Sequence, residues 1–114
     1  MNTVIVVGRS GRDTETPKYY ESGKSRATFS LAVNRWDSKS GENLTDWFNI
    51  EAWDKQAEWA SKYVKKGTLV AVEGRIRTTN WTDQTGENRH SYIITASNIR
   101  FVGSKKDMEQ HDNF

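Results

Sequence analysis

Along most of this chain apolar and polar residues alternate with a period of two, interrupted once by a stretch with helical spacing. Thr3 to Val7 is a continuous apolar run, which predicts a strand buried on both faces that ends at Gly8 and Gly11. Burial within a closed sheet is one explanation of that run and contact between subunits is the other. From Lys24 to Trp36, Ala27, Phe29, Leu31 and Val33 share one side while Thr28, Ser30, Ala32 and Asn34 share the other, the pattern of a half-buried antiparallel strand. Asp46 to Trp53 sets Phe48, Ile50 and Ala52 against Trp47, Asn49, Glu51 and Trp53, so two tryptophans fall on the polar side. From Thr68, Val70, Val72, Gly74 and Ile76 point inward and Glu73, Arg75, Arg77, Thr79 and Trp81 project from the opposite face. Arg89 to Val102 is the last such run, and its apolar residues Tyr92, Ile93, Ile94, Ile99 and Phe101 fit neither parity consistently.

The helical stretch lies between the third and fourth runs. Asp54 is placed to cap a helix over Lys55 to Lys65, Gly67 to stop it, and Ala57, Ala60 and Val64 to form its inward stripe. Lysines in the last turn suit the helix dipole. The element order β, β, β, α, β, β predicts an all-β protein: a five-stranded Greek-key barrel with one helix between strands three and four, the OB architecture. A ferredoxin-like sheet needs two helices, and the first 50 residues hold no helical period. Trp36 to Asn43 (WDSKSGEN) and Trp81 to Asn88 (WTDQTGEN) echo each other, each with a tryptophan at the base of a hairpin and a glycine suited to positive φ at its tip. Residues 1–103 read as one domain and 104–114 as a short disordered tail.

Composition then narrows the chemistry. Only 21 of the 114 residues are Val, Ile, Leu or Phe, yet 17 Lys and Arg against 15 Asp and Glu leave a net charge of +2, too little self-repulsion for a disordered chain. A core this small cannot enclose five tryptophans, so some face water or a ligand. Cysteine is absent, which removes disulfides, thiolate nucleophiles and Cys-containing zinc sites. No apolar run approaches the length of a signal-peptide core or a membrane span, and no membrane partner is expected. The two histidines, 90 and 111, form no metal motif, and no phosphate-binding loop of the G-x-x-x-x-G-K-[ST] type occurs, so neither enzymatic activity, cofactor nor metal is expected. Gly8-Arg9-Ser10-Gly11 imitates a GXXG clamp, but that clamp belongs between helices.

What the pattern does supply is aromatic rings interleaved with cations on a polar face, the combination that stacks unpaired bases and neutralises their phosphates. Trp36, Trp47, Trp53 and Trp81 are the candidate platforms. Arg35, Lys55, Arg75, Arg77 and Arg89 are the candidate phosphate contacts, with Lys24, Arg26, Lys62, Lys65 and Lys66 as outlying cations. Each platform could give about 1 to 3 kcal/mol, whereas a net +2 alone gives almost nothing. Trp59, one turn before Tyr63, is expected to pack, and Tyr19 and Tyr20 read equally as stacking residues or as β-formers after Pro17. Trp47 and Trp53 could instead be covered by a partner subunit, and the alternative function is an OB-type protein-interaction module of a replication-restart or other nucleoprotein assembly. Stacking and phosphate contacts serve DNA and RNA alike.

With those residues in view, residues 1–103 resemble the bacterial-type single-stranded DNA-binding proteins. MNTVIVVGRSGRDTE is similar to the family's opening, ATFSLAVNRW to its second strand, and TDWFNIEAWDKQAEWASKYVKKGTLVAVEGRIRTTNWTDQTGENRHSYIITASNI to the remainder. The resemblance implies non-catalytic, sequence-independent binding and protection of single-stranded DNA in replication, recombination and repair, with the family's stacking aromatics falling on Trp36, Trp47, Trp53 and Trp81. It also implies a homotetramer joined in part through Asn2 to Val7, and a place on the cytoplasmic nucleoid or in an organelle of bacterial descent. Family members typically end in a long linker and an acidic tip that recruits replication and repair proteins. GSKKDMEQHDNF keeps Asp107, Glu109, Asp112 and Phe114 without linker or acidic cluster, so recruitment by that route is not expected.

Overall fold

Strands with one apolar and one polar face must curl until the apolar faces meet, and this chain does so in a single closed barrel. The computed structural model describes residues 1–102; the expected tail over 104–114 lies outside the described residues. The elements are β1 (Val4–Ser10), β2 (Lys18–Tyr19), β3 (Ser25–Asp37), β4 (Glu42–Trp53), α1 (Lys55–Tyr63), β5 (Leu69–Thr82) and β6 (Asn88–Phe101). The sheet order is β1-β5-β6-β4-β3-β2, and a further pairing of β1 with β3 closes five strands into the barrel. The helix sits between the third and fourth barrel strands, as expected; β2, two residues long, is an addition on the β3 edge. Phe29, Leu31, Ile50, Ala52, Val70, Val72 and Ile94 fill the centre, and Ala57, Ala60 and Val64 close one end from α1 and its C-terminus.

Several sequence expectations need correction. β1 does not end at Gly8 but runs on to Ser10, first along β5 and then, from Arg9, along β3. Glycine at position 8 permits this, because a Cβ there would strike the carbonyl oxygen of Ala32 on β3. Nor is β1 buried on both faces: Val4 and Val6 pack on the core while Ile5 and Val7 are 63% and 45% exposed on the outside of the barrel. β4 begins at Glu42, four residues before the expected start, because it stays in register with β3 from Asp37↔Glu42 to Arg26↔Trp53.

The helix ends at Tyr63 rather than Lys65, since Val64 turns extended (φ −91°, ψ 96°) to bury its side chain. Lys65 nonetheless reaches back, its Nζ donating to the Ser61 carbonyl at 2.9 Å. Asp54 does not cap the helix through its side chain: its Oδ1 accepts the Ser25 N–H at 3.1 Å, tying the helix entry to β3.

β6 explains its own ambiguity. Against β5 the register steps at Glu73/Gly74, where Glu73 faces Asn98 and Gly74 faces Ala96, leaving Ser97 as an extra residue. Ile94 and Ala96 before the bulge and Ile99 and Phe101 after it therefore all turn toward the core despite opposite parity.

Candidate nucleic-acid interface

Residues directly opposed in a sheet share a face, so the registers define one continuous outer surface across four strands. β3 contributes Arg26, Thr28, Ser30, Ala32, Asn34 and Trp36; the opposed positions on β4 are Trp53, Glu51, Asn49, Trp47, Thr45 and Asn43. Glu51 pairs with Thr95 of β6, and β6 in turn sets Thr95, Ile93, Ser91 and Arg89 opposite Arg75, Arg77, Thr79 and Trp81 of β5. The four candidate tryptophans are thus brought to one face, with Trp36 and Trp81 carried outward on the two long hairpins. Trp36, Trp47 and Trp81 are 63%, 61% and 50% exposed, and Trp53 is half-buried. Trp59 lies elsewhere, packed against Phe101 and Tyr63 with ring centroids 4.9 and 5.4 Å away.

The indole of Trp47 rests on backbone. A Cβ added at Gly11 would come within 2.6 Å of its ring, so Gly11 gives this platform its bed. Beyond the short β4–β6 seam the two strands diverge, and a groove of about 430 Å³ opens between the hairpins, walled by Trp47, Phe48, Ile76 and Tyr92. Both hairpin tips turn through a glycine at positive φ, Gly41 at 70° and Gly86 at 85°. An aspartate organises each. Asp37 accepts from the Ser40 hydroxyl at 2.8 Å. Asp83 accepts from the Thr85 hydroxyl at 2.6 Å, from the Thr85 and Glu87 N–H groups at 2.9 and 3.0 Å, and from Arg89 Nε at 2.8 Å. Thr85 and Arg89 hold the Asp83 carboxyl well below its ordinary range, at about 2.

The centre of the face is a buried carboxylate. Glu51 is 1% exposed, and its two oxygens accept four bonds: Arg77 Nε at 2.7 Å and Nη2 at 2.9 Å, Arg26 Nε at 2.8 Å, and the Thr95 hydroxyl at 2.6 Å. Its pKa falls from 4.5 to about 2, chiefly through Arg77, with burial opposing and Thr95 and Arg26 adding. A charge this deep is tolerated because every lone pair is met. Its position was visible in the sequence, as a lone acid between Trp47 and Trp53 in an apolar alternation, but not its burial.

The candidate cations divide accordingly. Arg75 and Arg77 share the tryptophan face, and Arg89 sits opposite Trp81 on it. Arg77 and Arg89 are ion-paired, to Glu51 and to Asp83 with Glu87. Arg75 has no ion-pair partner among the described residues. Arg35 turns away: it opposes Leu44, one step out of phase with Trp36, and pairs with Asp46 at 2.8 Å. Lys55 opens α1, beside Gln56 and Asn98 rather than on the sheet. No cluster of three His, Asp or Glu side chains placed to hold a metal ion occurs among the described residues.

Compared with known proteins, residues 1–102 match the model of the family described as "Single-strand binding protein family". The chain is 44% identical over 108 residues to "Single-stranded DNA-binding protein 1" of Synechocystis sp., covering 94% of this chain and 88% of that protein. It is 43% identical over 110 residues to the protein of the same name from Nostoc sp., covering 96% and 89%. A "Single-stranded DNA-binding protein" of Streptococcus mutans is 39% identical over 114 residues, covering 99% and 69%.

Proposed function

The chain belongs to the single-strand binding protein family, and from that premise we propose that it binds single-stranded DNA largely without regard to sequence, holding it unpaired and protected during replication, recombination and repair. The family is one of non-catalytic DNA-binding proteins. Unpaired bases stack on Trp36, Trp47, Trp53 and Trp81, and phosphates meet Arg75, Arg77 and Arg89 between them. The observation that carries this reading is the single four-strand face on which the registers align these tryptophans and arginines, with three of the indoles at least half exposed. Arg35 and Lys55, which lie off that face, are not among its phosphate contacts. Four rings at about 1 to 3 kcal/mol each suffice for tight binding without a large net charge. No helix among the described residues is long and apolar enough to cross a membrane, and the bacterial relatives support work on nucleoid DNA. The protein acts as a homotetramer, a reading supported by the apolar Ile5 and Val7 that β1 leaves uncovered.

Titration with oligo-dT quenches the intrinsic tryptophan fluorescence strongly, whereas duplex DNA of equal length leaves it nearly unchanged. An equal response to both would falsify the reading. Indifference to single strands at low salt, with a stoichiometric protein partner instead, would support an interaction module. Parallel titration with oligo-rU reports whether the sugar matters.

A further inference from the structure

Trp53 is the one candidate platform that is not freely exposed, and the reason lies at the β2 edge. β2, β3 and β4 are in register there, so Lys18 opposes Arg26 and Arg26 opposes Trp53 in one row across three strands. Two residues past Lys18, Tyr20 brings its ring to 5.9 Å from Trp53 at a tilt of 32°. Lys18 Nζ stands 5.5 Å over the Tyr20 ring, and the Arg26 guanidinium 6.0 Å over Trp53. Arg26 is itself anchored by the buried Glu51. The tyrosine is well placed by its backbone: its N–H donates to Lys24 O at 2.8 Å, its carbonyl accepts from Gly23 N at 2.9 Å, and Gly23 turns at φ 87°. Yet the residue remains 39% exposed, and no hydrogen bond engages its hydroxyl among the described residues.

We propose that Tyr20 and Lys18 form a further nucleotide subsite, in which an unpaired base stacks on the Tyr20 ring beside Trp53 and the adjoining phosphate is met by Lys18. The proposal rests on the single-strand reading above and extends its path over the β3 edge. Packing alone would explain a buried tyrosine; it does not explain an ordered, outward-facing ring flanked by a cation and aligned with the aromatic row. Arg26 is tethered to Glu51, which it shares with Arg77, whereas Lys18 has no ion-pair partner among the described residues and stands over the Tyr20 ring as the cation of this subsite.

The test is a double-mutant cycle read by oligo-dT affinity. Tyr20→Leu, which keeps bulk but removes the ring, weakens binding roughly 5- to 150-fold, the worth of one stacked base, and Tyr20→Phe does not. The loss persists in a Trp53→Ala background. If Tyr20 only props up Trp53, its removal costs nothing there, and that result overturns the proposal. Lys18→Gln lowers the slope of log affinity against log salt by about 0.7, one phosphate's worth for a single strand; an unchanged slope overturns the phosphate contact. Circular dichroism and melting verify that the variants fold, and Trp81→Ala is the reference. Wild type failing to bind single strands sinks the functional reading itself, whereas Trp81→Ala weakening binding while Tyr20→Leu does not sinks this subsite alone.

Discussion

At the scale of single residues, Glu51 governs the face. Ionised, it accepts from Arg26, Arg77 and Thr95 at once, so two flexible cations are held flat between the aromatic platforms. Its folded-state pKa of about 2 lies below the ordinary 4.5, and the sign follows from linkage. In the unfolded chain the group takes up a proton near 4.5, in the folded one near 2. The stabilisation is therefore fully present above about pH 4.5 and is lost as pH falls from there toward 2. Glu51→Gln destabilises by about 1 to 3 kcal/mol at neutral pH, and its melting temperature falls less steeply than that of wild type between pH 5 and 3; parallel slopes in calorimetry would refute this role. Trp36, Trp47 and Trp81 could be found from the sequence because indoles in a small basic domain exceed what its core can hide. Tyr20 could be named from the sequence but not chosen over a plain β-former, since the ring that makes it meaningful lies 33 positions away on β4 and only the fold brings them together.

Among the elements, legibility tracked regularity. β3 alternates and α1 buries Ala57 and Ala60, with Val64 just past its end, and both read directly from the chain. β6 did not, because the extra Ser97 reverses parity halfway along and no local residue announces it. β1 misled by its composition: an all-apolar run states only that both sides avoid water, not that both are covered within one chain. The hairpin of β5 and β6 carries its own bracing in Asp83, whose carboxylate meets Thr85, Glu87 and Arg89. Asp83→Ala leaves Arg89 only its pairing with Glu87 and loosens the tip, so the amides of Thr85 and Glu87 exchange hydrogen faster while core amides are unaffected. Protection unchanged at those two amides would show the turn to be held by Gly86 alone.

For the molecule as a whole, the barrel separates two kinds of surface. One flank is polar, aromatic and cationic; β1 exposes Ile5 and Val7 elsewhere on the surface, beside Ala71, Asn98 and Arg100 in the case of Ile5. An apolar strand left bare is an invitation to pair with another copy. Ile5→Lys places a charge there without touching the core, and light scattering then reports a species smaller than the wild-type assembly. An unaltered mass would remove β1 from the interface.

The seam between β4 and β6 comprises only two residue pairs, Ile50 with Ile94 and Glu51 with Thr95. The carboxylate that grips two arginines is thus also a stitch in one of the barrel's two shortest joins, the other being the two pairs of β1 with β3. Buried ion networks are costly to break by halves and cheap to replace entire. Positions 26, 51, 77 and 95 should accordingly drift through evolution as a set, a lineage that trades the acid for an aliphatic side chain relinquishing its arginine companions in the same stroke.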